Sequence, residues 1–175
     1  MIDYKINNEM LDILEKIHKG LMIDYDGNFI NEDYMFTVKF KDFDNYCECI
    51  TIEKDKCIDE NDARIYLIIT LFIECITECK LYKNIKDYDY ESFKKWLYYI
   101  GDESFRDEEE IKILYPEYND IFNDFKEGLD KANFARTILT KNERFKFGEF
   151  VENNNRYKNI VKYKINIINK QLKKL

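Results

Sequence analysis

The most apolar segment of the chain, residues 63–82, predicts a central α-helix. Apolar residues at spacings of three and four share one side of this helix: Ile65, Ile68, Ile69, Phe72, Cys75, Ile76 and Cys79. Leu67, Leu71 and Ile73 widen the apolar arc, so we expect the helix to be covered on more than one side. Its uncharged run, residues 65–73, is far shorter than the ~20 residues that cross a bilayer.

Residues 7–19 have the spacing of a first amphipathic helix. Asn7 or Asn8 can cap its N-terminus, and Gly20 suits its C-terminus. The residues predicted to share its apolar face are Met10, Leu11, Leu14, Ile17, His18 and Leu21. His18, the single histidine, is therefore interpreted as a partly buried core residue and not as a catalytic base.

Two further helices are predicted after the central one. A short helix begins after a cap at Asp87 or Asp89 and ends at Gly101. Its apolar residues are Phe93, Trp96, Leu97 and Ile100. A long helix has Pro116 in its first turn, where proline is tolerated. Its apolar residues are Tyr118, Ile121, Phe122, Phe125, Leu129, Ala132, Ala135 and Leu139.

Alternating apolar and polar residues predict a small antiparallel meander between the first helix and the central one. Its two best strands are residues 34–40 and 46–53, joined by a hairpin loop at 41–45. Asp26 and Gly27 form a turn signal, because both residue types tolerate a positive φ. Residues 21–25 are predicted as a short strand that enters this turn.

The C-terminal segment fits two periodicities. Val161, Tyr163, Ile165 and Ile167 alternate as in a strand, whereas a helix would align Tyr157, Ile160, Val161, Ile168, Leu172 and Leu175. We favour the helix because no turn signal interrupts the segment. The whole pattern predicts the α+β class: a mostly helical single domain, residues 1–175, with a small antiparallel β-meander near the N-terminus packed on a central apolar helix.

Charge is unevenly distributed along the chain. The formal net charge is −7, yet residues 141–175 carry ten basic and three acidic residues. The acidic body, residues 1–140, holds the remaining 18 basic and 32 acidic residues. The basic C-terminal segment, residues 141–175, is interpreted as pairing with the acidic middle of the same chain, residues 102–130. Such a polarity bears on association and not on fold.

An acidic stretch in the middle of the chain is the first candidate binding surface. Its acidic residues are Asp102, Glu103, Asp107, Glu108, Glu109, Glu110, Glu117, Asp120, Asp124 and Glu127. On a helix, residues 117, 120, 124 and 127 lie on one side, away from Phe122, Phe125 and Leu129. Trp96 and Tyr99 are candidate aromatic anchors of the same interface. The alternative interpretation is a solvated face that keeps the protein in solution.

The basic segment is a second candidate surface, for nucleic acid. Its lysines are Lys158, Lys162, Lys164, Lys170, Lys173 and Lys174, interleaved with Tyr157 and Tyr163. Lysines neutralise phosphates and tyrosines stack on bases. The negative net charge of the chain repels a polyanion, so we favour the acidic surface as the functional one.

The five cysteines, at positions 47, 49, 57, 75 and 79, form no compact framework. The N-terminal residues lack the pattern of a secretory signal, so we expect reduced thiols in a cytoplasm. Cys47 and Cys49 could contribute half of a zinc site, but the spacings match known zinc sites poorly. We therefore expect structural cysteines, no metal and no cofactor.

No sequence motif specifies a chemistry. The chain has no glycine-rich phosphate loop, no HExxH and no GxSxG. We therefore expect a small cytoplasmic, non-enzymatic protein. The chain is rich in Lys, Asn, Ile, Tyr and Phe, residues whose codons are AT-rich, which indicates a low-GC bacterium, its phage or a plasmid as the source. The acidic surface of the protein would occupy a basic site of a nuclease or other nucleic-acid-handling protein, as inhibitors and immunity proteins do. The alternatives are a nucleic-acid-binding protein, a carboxylate-metal or cysteine enzyme, and a homo-oligomer formed through acidic–basic pairing.

Overall fold

A computed structural model describes residues 7–28, 33–43, 45–100, 109, 112–113, 118–159 and 162, and of residues 28 and 98–100 it describes the backbone only. The helices are α1 Asn8–Gly20, α2 Glu60–Leu81, α3 Tyr90–Ile100, α4 Tyr118–Ile138 and α5 Lys141–Glu152. The strands are β1 Asp24–Asn28, β2 Tyr34–Lys39 and β3 Cys47–Ile52. This is the predicted α+β architecture, mostly helical with an N-terminal sheet.

The sheet is an antiparallel meander in the order β1-β2-β3. Side chains on alternate positions of β2 are buried, as the sequence pattern predicts: Tyr34, Phe36 and Val38. They belong to the same apolar cluster as the first four turns of α2, which confirms that one face of the meander lies on the central helix. Of the three strands that the structure describes, β1 and β3 lie at the edges of the sheet.

The predicted turn at Asp26 and Gly27 is wrong. Both residues lie inside β1, where the register with β2 shifts between Tyr25 and Gly27. Gly27 has a φ of 104°, a conformation that glycine adopts without steric cost and that suits a β-bulge. The glycine therefore serves a bulge and not a hairpin turn. Leu21, predicted as strand, makes an isolated bridge with Phe40 before β1 begins.

The first helix uses the predicted cap but exposes two residues predicted to be buried. The Asn7 side chain accepts a hydrogen bond from the Met10 backbone N–H at 2.8 Å. Buried residues follow a stripe at spacings of three and four: Met10, Ile13, Ile17 and Gly20. Leu11 and His18 lie seven positions apart on the flank of this stripe and are exposed. The prediction of a partly buried core histidine is therefore wrong.

The central helix is buried on more than one side, as its wide apolar arc predicts. Its buried residues include Leu67, Leu71 and Ile73 as well as Ile68, Ile69, Phe72 and Cys75. Asp59 is the N-cap and accepts a hydrogen bond from the Asp62 backbone N–H at 2.9 Å. No helix that the structure describes combines the length and the apolar character needed to span a bilayer.

Helix α5 lies in the basic segment and was missed by the apolar pattern. It begins with a capping box, in which the Glu143 N–H donates to the Thr140 hydroxyl at 3.1 Å and the Thr140 N–H donates to the Glu143 carboxylate at 3.0 Å. Ion pairs join this helix to α1, from Glu143 to Lys16 and from Lys146 to Glu9. Residues 155–159 and 162 are also helical, and the rest of the C-terminal prediction lies outside the described residues.

A buried ion pair holds the basic segment against the N-terminus of α2. The Arg156 guanidinium donates to both carboxylate oxygens of Asp62, at 2.7 and 3.0 Å. Asp62 is only 5% exposed, and Arg156 lies over the rings of Tyr66 and Tyr157. Burial acts to lower the pKa of Arg156, but the hydrogen bonds with Asp62 outweigh it, so the pKa is raised. The guanidinium therefore stays charged and paired.

Substitution of Arg156 by methionine should destabilise the fold, because it leaves the buried Asp62 carboxylate without its counter-charge. We expect a loss of about 2–3 kcal/mol in the free energy of unfolding, below the ~3–5 kcal/mol for fully buried pairs because the Arg156 side chain is 22% exposed. Urea titration measures it. The double variant Asp62→Asn/Arg156→Met should lose less than the sum of the single variants. Strict additivity would show that the pair does not interact.

Candidate functional site: the outward face of α4

Helix α4 packs one face into an aromatic cluster. Phe125, Leu129 and Ala132 are buried there, as the helical spacing predicts. The cluster is completed by the α3 residues Phe93 and Trp96, whose ring centroids lie 5.4 and 5.5 Å from that of Phe125. These contacts fix the rotation of α4 about its own axis and so decide which residues face outward.

A close approach between α4 and the end of α2 adds to this constraint. The Tyr82 hydroxyl donates a hydrogen bond to the Phe125 carbonyl at 2.9 Å, across the position of Gly128. A Cβ atom on Gly128 would collide with the Tyr82 hydroxyl. Burial, with the nearby charges of Glu78 and Asp124, raises the pKa of Tyr82, so the hydroxyl remains a proton donor. Glycine is thus required at position 128 for close packing.

Asp130 is an acidic residue of α4 that serves the fold. Its side chain has no solvent exposure. It accepts hydrogen bonds from the Asn45 backbone N–H, at 2.9 Å, and from the Tyr88 hydroxyl. The carboxylate therefore joins α4 to the β2–β3 connection and to the segment before α3. A hydrogen-bonded buried carboxylate of this kind is structural and not available to a partner.

Two basic residues of α4 also have internal partners. Arg136 donates to the Tyr82 and Ile85 carbonyls, at 2.5 and 2.9 Å, and so caps the C-terminal end of α2. Lys131 lies 3.4 Å from the Glu74 carboxylate. Burial acts to lower the pKa of Lys131, but the charge of Glu74 and its neighbours outweighs this effect and raises it. Lys131 therefore remains charged within the packed structure.

The outward face of α4 carries three exposed carboxylates, which we call the acidic row: Asp120, Asp124 and Glu127. None of the three makes an ion pair with a residue that the structure describes. They span about 10.5 Å along the helix axis, from a rise of ~1.5 Å per residue. The acidic row is thus the part of the predicted acidic surface that the described helix presents to solvent.

Of the other acidic residues predicted for this surface, the structure describes only Glu109. Glu109 is exposed and 3.8 Å from the Lys112 ammonium. Outside the described residues lie Asp102, Glu103, Asp107, Glu108, Glu110 and Glu117. Whether they extend the acidic row therefore stays a prediction.

Of the two candidate aromatic anchors, Trp96 is buried in the aromatic cluster and is not presented to a partner. Trp96 is 8% exposed and packs with Tyr82, Phe93 and Phe125, so its ring is part of the aromatic cluster. Its burial follows from the helical spacing that also buries Phe93 and Leu97. An anchor must present its ring to the partner. The side chain of Tyr99 lies outside the described residues.

Among the lysines of the basic segment that are predicted to contact nucleic acid, the structure describes Lys158 and Lys162, and both are exposed. The remaining predicted nucleic-acid contacts, Lys164, Lys170, Lys173 and Lys174, lie outside the described residues. Tyr157, predicted to stack on bases, is fully buried beside Tyr66 and Arg156. That prediction is wrong for Tyr157, because the ring already serves the contact that holds the segment to α2.

The five cysteines differ in their exposure to solvent. Cys75 is buried, Cys57 and Cys79 are half-buried, and Cys47 and Cys49 on β3 are exposed. Burial raises the pKa of the thiols at positions 57, 75 and 79, which disfavours the reactive thiolate. Within the described ranges, no three His, Cys, Asp or Glu side chains are grouped so that they could hold a metal ion.

Two cavities near α1 have no cysteine nucleophile or histidine base among their lining residues. A cleft of about 360 Å³ is lined by charged residues of α1 and α5 that include the paired Lys16 and Glu143. A smaller cavity of about 170 Å³ has Phe43, Phe134 and Ile138 in its walls. Neither contains a cysteine or the histidine among its lining residues.

Comparisons with known proteins give no assignment. No protein-family model matches the chain, and neither the curated proteins nor the solved structures contain a significant match. The functional interpretation therefore depends on the geometry of α4 and on charge.

Substitution of Gly128 by alanine should destabilise the fold by about 1–3 kcal/mol, because the new methyl group overpacks the contact with Tyr82. Gly148 in α5 is the matched control, since a Cβ there meets nothing within 4 Å. Gly148→Ala should instead stabilise by about 0.5–1 kcal/mol through helix propensity. Urea unfolding of both variants measures the difference. Equal effects at the two positions would contradict the packing of α4 on Tyr82.

Proposed function

We propose that this protein is a small, acidic, non-enzymatic binding protein that occupies a basic site of a nuclease or another nucleic-acid-handling protein. The observation that carries the proposal is the acidic row. Its three carboxylates are exposed and without an ion pair to the described residues. The charged residues of the same helix that face the protein, Asp130, Lys131 and Arg136, are bound internally.

The spacing of the acidic row suits a site that holds a phosphate backbone. Each strand of duplex DNA presents one negative charge per ~3.4 Å of axis, and the acidic row presents three over ~10.5 Å. The two charge densities are of the same order. A basic cleft that binds phosphates can therefore attract the row by the same electrostatics, which also accelerates the encounter.

The rigidity of α4 favours binding. Tyr82, Arg136 and the aromatic cluster fix the helix, so its backbone loses little freedom when a partner docks. Five cysteines without the compact spacing of a disulfide framework fit a reducing compartment, and we place the protein in the cytoplasm. The exposed Lys158 and Lys162 support direct nucleic-acid binding as the competing function.

The proposal predicts that neutralising the acidic row removes partner binding. The tagged protein and the variant Asp120→Asn/Asp124→Asn/Glu127→Gln are each exposed to a nuclease-treated bacterial lysate at low salt. The variant should retain the captured basic protein at least about tenfold less, because three exposed charge contacts of ~0.5–1 kcal/mol each exceed the ~1.4 kcal/mol of a tenfold change. Added duplex DNA should release the protein captured by the unaltered chain.

A second variant controls for the loss of charge. Asp87, Glu149 and Glu152 are exposed acids away from the acidic row, and Asp87→Asn/Glu149→Gln/Glu152→Gln has the same net charge as the test variant. It should capture the partner as the unaltered protein does. Equal capture by both variants, or a captured protein that DNA does not displace, overturns the proposal. Binding of labelled DNA or RNA by the purified chain itself would favour the competing function.

A further inference from the structure

Two exposed thiols share the outer face of the sheet. Cys47 and Cys49 are both free and exposed on β3. They are two positions apart on one strand, so their side chains point to the same face. Their partners on β2 are Lys39 and Thr37, which are on the face opposite the buried Phe36 and Val38. This pair is distinct from the buried and half-buried cysteines that serve the core.

The pair is too far apart to close on itself but suits a shared metal ion. The Cα atoms of residues two positions apart on a strand are separated by about 6.8 Å, and their Cβ atoms, which point to the same face, are about as far apart. The Cβ atoms of a disulfide lie only ~3.5–4.5 Å apart. Tetrahedral zinc with Zn–S bonds of ~2.3 Å needs sulfur atoms about 3.8 Å apart. Each sulfur lies beyond its Cβ, so two thiols that lean toward each other from neighbouring same-face positions bring their sulfur atoms closer than the Cβ atoms, toward the separation that zinc needs.

The thiols of Cys47 and Cys49 would supply two of the four ligands that a structural zinc site needs. No third His, Cys, Asp or Glu of the described chain joins the two thiols in a group that could hold a metal. Among the strands that the structure describes, β3 lies at an edge of the sheet, so a second copy of the chain can approach it there. In an antiparallel arrangement about a two-fold axis beside Glu48, Cys47 faces Cys49 of the second copy.

We propose that Cys47 and Cys49 bind Zn²⁺ together with the same two thiolates of a second copy, so that the metal joins two chains edge to edge. This inference is independent of the proposed function of α4. Four thiolates around one Zn²⁺ carry a net charge of −2. Lys39 is exposed and lies directly across from Cys47, so two copies bring two ammonium groups to offset that charge.

Zinc titration of the full chain under a phosphine reductant tests the proposal. We expect one Zn²⁺ per two chains, a doubling of the mass measured by analytical ultracentrifugation, and return to the monomer mass on addition of a chelator. Co²⁺ should substitute and give the visible spectrum of a tetrahedral thiolate site. Lys39→Glu should weaken zinc-dependent dimerisation at least about tenfold, because two charges near the metal are reversed.

Two double variants of equal thiol count separate this site from incidental zinc binding. Cys47→Ser/Cys49→Ser should abolish both zinc binding and the mass change. Cys57→Ser/Cys79→Ser should retain both, since those thiols lie within packed regions of the fold. The proposal is overturned if the chain stays monomeric with zinc, if one ion binds per single chain, or if the first variant still dimerises. Dimers that form only without reductant would identify intermolecular disulfides instead and would equally overturn it.

Discussion

The need to cover α2 on more than one side is the constraint on which the rest of the structure depends. Apolar side chains surround most of its circumference, so the sheet and α1 lie against part of it and α4 lies along another part. Helix α4 then links two apolar clusters, one with Phe134 and Ala135 and one with Phe125 and Leu129. Because both ends of α4 are held in this way, its outward face is a fixed surface.

The polar groups of the molecule divide according to that packing. Charged residues that face the interior have specific partners, as in the pair of Arg156 with Asp62 and the cap formed by Arg136. The acidic row faces away from the cluster and has no ion-pair partner among the described residues. A buried charge without a partner is costly, whereas an exposed one is not, so only the exposed set is free to serve binding.

The features that could be predicted from the sequence are those set by the residue pattern within a single helix or strand. Apolar periodicity within one element indicates which of its side chains are buried, as in the alternation of β2 and the wide apolar arc of α2. The helical spacing around Phe125 in the same way predicted which face of α4 points outward. Helix α5 was missed because Phe147 and Val151 are its only fully buried residues in the description, although the Thr140–Glu143 spacing marked its start. The partners of Asp130 are distant in sequence, so its burial was not predictable.

Carboxylate labelling of the protein, free and in complex with its captured partner, measures whether the acidic row is the surface that binds the partner. Water-soluble carbodiimide modifies accessible carboxylates, and mass spectrometry reports the extent at each residue. If the acidic row binds the partner, Asp120, Asp124 and Glu127 are labelled in the free protein and protected in the complex, while Glu149 and Glu152 are labelled equally in both. Unchanged labelling of the acidic row in the complex would contradict this binding.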